Sequence, residues 1–152
     1  MPGQRRFEMR GRMRDVARKN KGQSLLEFAL VIPVLCIIFM GIFDFGWILH
    51  RQITLDNATR AGARRGAVGE TTANIKNQVI NSVYFPLTAD QVVVTVLNPS
   101  HVDIGNPNDR TPDNYIVVEV TINDVQLITP LRNVVQGMGQ INLHSRAEFL
   151  IE

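Results

Sequence analysis

From Leu25 to Leu49 the chain reads LLEFALVIPVLCIIFMGIFDFGWIL, an apolar stretch of 25 residues interrupted by only two carboxylates, Glu27 and Asp44. As a helix it spans about 37 Å, enough to cross a hydrocarbon core of roughly 30 Å. Its length also separates it from a cleaved secretory signal, whose apolar region is only about 7–15 residues. His50 and Arg51 close the stretch, and Trp47 stands where an interfacial aromatic belongs. The helical pattern continues beyond them. QITLDNATRAGARRGAV contains no proline and places Ala58, Gly62 and Gly66 at four-residue spacing, a smooth stripe that lets another backbone approach closely. One helix from about Gln23 to Val68 is therefore expected, its first half in lipid and its second half lying against a soluble domain. Arg60 and Arg64 fall on its solvated face.

The remaining pattern is that of an α+β domain. In TANIKNQVINSVY, residues 72–84, Ile75, Val79, Ile80 and Val83 recur at helical spacing and predict a short amphipathic helix. QVVVTVL (91–97) and YIVVEVTI (115–122) are rich in β-branched residues and predict strands, the second with Ile116, Val118, Val120 and Ile122 on one face. Residues 141–151 alternate more clearly still, with Ile141, Leu143, Ala147, Phe149 and Ile151 directed inward and Asn142, His144, Arg146 and Glu148 outward. A small antiparallel sheet covered by the long helix satisfies these faces. Two connections interrupt it: a turn-rich segment of 17 residues, Asn98 to Asn114, and the segment Asn123 to Gly139, whose VQLITPLRNVV is apolar enough to pack over the sheet edge or to contact a partner.

Charge divides the chain into two parts. Residues 1–22 carry eight Lys or Arg against Glu8 and Asp15, a side-chain balance of +6, whereas residues 23–152 carry −4. The basic character thus belongs to a leader, and the mildly acidic remainder argues against a nucleic-acid-binding domain. A basic arm before a membrane span follows the positive-inside rule, which puts residues 1–22 in the cytoplasm, a transmembrane helix at 23–50 and an extracytoplasmic domain at 51–152. With 152 residues in all, one modest folded unit is expected. Cys36 is the sole cysteine and sits in the apolar stretch, so no intrachain disulfide can form and the domain must be held by packing.

Candidate chemistry concentrates in the span. A carboxylate inside an apolar helix needs a partner or a place near the headgroups, and Glu27, two residues into the stretch, marks a functional position. Asp44 lies within two turns of the outer boundary as a possible second intramembrane polar site; a pair with Arg51 would require one side chain to stretch, and a snorkelling interfacial acid is an equal reading. Pro33 lacks an amide hydrogen and loosens or kinks the helix, which membrane spans tolerate. In the 98–114 segment Asp103, Asn106, Asn108, Asp109 and Asp113 offer hard oxygen ligands, but their spacing fits no EF-hand loop and a solvated turn region is expected instead. His50, His101 and His144 stand apart, with no metal-ligand spacing, nucleophile elbow or phosphate loop, so neither a catalytic centre nor a metal or cofactor site is expected.

Immediately before the apolar stretch the sequence runs Gly22, Gln23, Ser24, Leu25, Leu26, Glu27, Phe28, joining the basic leader to the helix. This segment resembles the processing site of type IV pilin-like precursors. The order Glu then aromatic is similar to the variant of the tight-adherence (Tad or Flp) pilus. The similarity to TadE-like pseudopilins extends over residues 22–68 and, more weakly, to residues 141–152. The resemblance implies a pilin-like fold, cleavage by a prepilin peptidase between Gly22 and Gln23, and an assembly role for Glu27 and Phe28, with Glu27 at position five of the mature chain. It further implies a structural rather than enzymatic protein of the inner membrane, a pseudopilin or minor pilin. Its partners would be other pilins and pseudopilins, an inner-membrane assembly platform and the platform's cytoplasmic ATPase, as well as membrane lipid. Two alternatives stand beside it: a principal filament subunit that polymerises in bulk, and a membrane-tethered binding module or enzyme that never enters a fibre.

Overall fold

The computed structural model describes residues 4–131, 133 and 141–152, with side chains from Gln23 onward except Ser24. Residues 134–140, and with them Val134 and Val135 of the apolar connection, lie outside the described residues. The chain divides into two compact units, Met1–Ile42 and Phe43–Glu152.

Helix α1 runs from Gln4 to Ala67, through Pro33. It begins earlier than the apolar pattern indicates because the basic leader is made of good helix formers and has no proline after Pro2. Its C-terminus falls where the sequence predicts. Gly69 adopts φ +97°, its N–H donates to Gly66 O at 3.1 Å, and Glu70 N–H reaches back to Arg65 O at 3.2 Å. This pair of bonds, with glycine at the left-handed position, satisfies carbonyls that the helix end would otherwise leave unpartnered.

In the first unit the described side chains of the apolar stretch, among them Leu25, Leu30, Val34, Ile38 and Ile42, are exposed, apart from the half-buried Met40. The protein interior gives them no cover, as required of a helix whose solvent is lipid.

The second unit is built on a three-stranded antiparallel sheet in the order β1 (Val92–Leu97), β2 (Tyr115–Ile122), β3 (Leu143–Leu150). Register pairs Val94 with Val118, and Val118 with Ala147. A short helix, α2 (Thr72–Asn81), precedes the sheet, capped at its start by the Thr71 hydroxyl accepting from Asn74 N–H. The core joins Leu55, Ala58, Ala63 and Ala67 of α1, Ile75 and Val79 of α2, and Val92, Val96, Ile116, Val118 and Val120 of the sheet. Arg60 and Arg64 are exposed, as their helical face requires. The architecture is the predicted α+β arrangement of a long N-terminal helix with a small antiparallel sheet.

The small-residue stripe has a specific use. A Cβ at Gly62 would lie 2.5 Å from Val79 Cγ2, and one at Gly66 would lie 2.2 Å from Ile116 Cδ1 and 2.9 Å from Ile75 Cδ1. Ile75 and Ile116 are fully buried and have little room to yield. Gly66→Val is therefore expected to destabilise the unit by about 2 kcal/mol net of its gain in helix propensity. Unfolding of the full chain in detergent should reveal the loss, with Gly46→Val, where nothing lies within 4 Å, as the tolerated comparison.

Burial on the sheet departs from simple alternation at Phe149 and at Val117, which is buried although its parity is opposite to that of Ile116 and Val118. Phe149 is 37% exposed although it shares the inward parity of Leu143 and Ala147; alternation selects the face, but cover at an edge strand depends on how far the overlying helices reach. Ser145, on the same face, is buried opposite Val120.

Candidate functional site

The residues singled out by sequence fall into two groups. Gly22 and Gln23 lie on the helical backbone of α1. One turn on, Glu27 accepts a hydrogen bond at 3.4 Å from Gln23 Nε2, and both side chains are exposed. That bond is long and neutral-to-charged across an open surface, so it binds the carboxylate only weakly. Phe28 and its neighbours Leu25, Leu26 and Leu30 are exposed as well. Glu27 is thus a carboxylate on an apolar surface, available to a cation brought from outside its own helix.

Asp44 is placed very differently. It is 4% exposed, and its Oδ1 accepts from the backbone N–H groups of Ile128 and Thr129, each at 3.1 Å. Oδ2 accepts from the Thr129 hydroxyl. Thr129 Oγ1 in turn accepts from Leu131 N–H at 3.3 Å. The carboxylate therefore holds a turn after β2, 127–131, against α1, and hydrogen bonds to a charged acceptor are among the stronger ones in proteins. The sequence marks Asp44 but not its partners, which lie 84 and 85 residues away in the chain. Thr followed by Pro at 129–130 was the only local sign of a turn there.

Arg51, weighed from sequence as a partner for Asp44, points elsewhere. Its guanidinium carbon stands 5.3 Å from the Trp47 ring centroid and 5.0 Å from that of Phe85, within cation–π range of both. Its Nε is buried without a hydrogen-bond partner. Tyr84 meets Trp47 edge-on at 5.8 Å and stacks on His50 at 5.2 Å. Trp47, His50, Arg51, Tyr84 and Phe85 form an aromatic and cationic collar, three to seven residues beyond Asp44 on α1. Of these the sequence brought forward only the α1 members; Tyr84 and Phe85 follow α2 and reach the collar through the tertiary fold.

The outer sheet face and the 98–114 segment make polar contacts within the second unit. His144 Nε2 lies 2.6 Å from Glu119 Oε1, and His101 Nδ1 lies 3.1 Å from Glu148 Oε1. Asn98, Asp103 and Asn106 accept from backbone N–H groups two residues on, the usual manner in which such side chains build turns. Asn108 instead accepts from Thr72 N–H at the start of α2. Asp109 accepts from the hydroxyl and N–H of Thr111, which holds its carboxyl below the usual range. Arg110 reaches across to Glu70 O with both Nε and Nη2. The side-chain oxygens of Asn98, Asp103, Asn106, Asn108 and Asp109 are thus engaged in hydrogen bonds within the protein, and among the described residues no three His, Cys, Asp or Glu side chains are grouped as metal ligands.

One helix near the N-terminus is long and apolar enough to cross a membrane, and none of its most apolar window is buried. With the α+β unit that follows, the build suggests a single-pass membrane protein. The family model described as TadE-like protein matches residues 22–64, a segment that starts at Gly22, contains Glu27 and Asp44 and ends within α1. Over that segment the chain is similar to TadE-like proteins. No curated protein and no solved structure matches the chain.

Proposed function

We propose that this chain is a pseudopilin or minor pilin that supports assembly of a tight-adherence, type IV-like pilus. The observation that carries the reading is the coincidence of the TadE-like match, beginning at Gly22, with an apolar helix that bears an exposed carboxylate at Glu27. A prepilin peptidase removes residues 1–22 by cutting between Gly22 and Gln23. Residues 23–50 cross the inner membrane, with the N-terminus cytoplasmic, and residues 51–152 form the extracytoplasmic domain. Cleavage leaves an α-amino group on Gln23 close to the start of the span. Glu27, whose own helix offers it only the Gln23 amide, pairs with that amine on a neighbouring subunit. Other pilins, the inner-membrane platform and its ATPase are the partners that such a subunit meets.

Deleting this chain should abolish surface piliation, while sheared filaments from the wild type contain it only as a minor constituent. Filaments composed chiefly of this chain would favour a principal subunit instead, and normal piliation in its absence would remove the chain from pilus assembly.

A further inference from the structure

The turn 127–131 combines two features that water alone does not explain. Ile128 is 62% exposed, yet the N–H groups of Ile128 and Thr129 and the Thr129 hydroxyl are all taken by one buried carboxylate. That carboxylate belongs to Asp44, which lies inside the apolar stretch Leu25–Leu49. Exposed beside it in the same compact unit are Phe43, Phe45 and Leu49. The midpoint of the stretch is Ile37, and half a hydrocarbon core is about 15 Å, or about ten helical residues. The outer acyl boundary then falls near Trp47, and Asp44 lies about 4–5 Å beneath it. Arg51, four residues beyond Trp47, is about 6 Å above the boundary, within the headgroup layer.

We infer that the turn 127–131 is a shallow membrane insert: Ile128 enters the outer edge of the acyl chains, and the Trp47–Tyr84–Arg51 collar sits at the headgroups above it. The inference rests on the single-span reading and is independent of any role in a pilus. Irregular backbone at membrane depth has no water to bond to, and each unsatisfied N–H there costs several kcal/mol. Asp44 removes that cost at Ile128 and Thr129 by accepting from both of their amides. Trp and Tyr rings favour the interface for their apolar body and polar edge, and an Arg flanked by two rings extends its charge toward lipid phosphate while its stem stays covered. The unit thereby contacts the bilayer at two places, helix and turn.

The test uses the full chain reconstituted in vesicles of phosphatidylcholine and phosphatidylglycerol, labelled with an environment-sensitive fluorophore at one cysteine at a time. Cys36 of the wild type is the mid-span reference, and Ile128→Cys and Val93→Cys are made in a Cys36→Ser background. Ile128 and Val93 are both exposed in the isolated chain, at 62% and 51%, so folding is undisturbed and only lipid should distinguish them. The label at 128 should be blue-shifted and lose more emission to a nitroxide lipid near the glycerol backbone than to one near the acyl terminus. Cys36 should show the opposite order, and position 93 should respond to neither. A label at 128 as wet as that at 93, with Cys36 quenched from the deep position, would overturn the insert and leave the span intact. If Cys36 also escapes quenching, the span and the insert fail together. A blue shift at 128 without lipid quenching would mean that protein covers the turn, and would equally overturn the proposal.

Discussion

A Glu27→Ala strain is expected to insert and process the chain normally and yet to lose its pilus. Glu27 makes no packing contact that its own fold needs: it is exposed, and its one bond, from Gln23 Nε2, is 3.4 Å long. Removing a carboxylate from an apolar stretch leaves membrane residence unchanged or slightly better. Between subunits the balance is reversed. If the carboxylate neutralises the Gln23 amine of a neighbour, its loss strands a positive charge in an apolar contact, at a cost of about 3–5 kcal/mol per contact. Assembly multiplies that cost along the filament, whereas a single chain never meets it. Processing and piliation should be scored in the same strain. Normal piliation would reduce Glu27 to a headgroup-level acid.

The second large effect is expected at Asp44. Asp44→Ala leaves two backbone N–H groups and a hydroxyl of the 127–131 turn without their acceptor, and the turn should lose about 3 kcal/mol of stability, equivalent to opening on the order of a hundredfold more often. Amide exchange in the full detergent-solubilised chain reads this directly at Ile128 and Thr129. Val125 is the informative neighbour, because its N–H bonds to Ile141 O at 2.8 Å without involving Asp44; faster exchange there would show that release spreads along the chain. Asp44→Asn keeps an oxygen to accept the two amides and should fall between wild type and alanine. Unchanged protection in the alanine variant would mean that the turn is held by something other than this carboxylate.

What the sequence made legible follows from the range of the interactions. Periodicity located α2 and all three strands within a few residues, because each buries one face and writes that face into its spacing: Ile75 and Val79 in α2, Ile116, Val118 and Val120 in β2. The stripe Ala58, Gly62, Gly66 announced a close approach, and Val79 and Ile116 are what approach it. Partners distant in sequence left no such trace. Nothing in the composition of the 127–131 turn points to Asp44, and nothing around Tyr84 and Phe85 points to Arg51, since one or two hydrogen bonds or ring contacts impose no period. Phe149 shows the complementary limit: its face was readable from alternation, its cover was not. Gly22, Gln23, Glu27 and Phe28 stand out only through the ordered combination of charge, glycine, spacing and carboxylate, and the processing and assembly roles proposed for them leave no mark on the fold of one chain.

The mature N-terminus tests the central claim most directly. Mass spectrometry of the protein purified from membranes of a piliated strain should find a chain that begins at Gln23 and contains 130 residues, with the basic leader absent. A chain retaining residues 1–22 in such a strain would contradict the account, because an uncut leader leaves no α-amino group on Gln23 for Glu27 to meet.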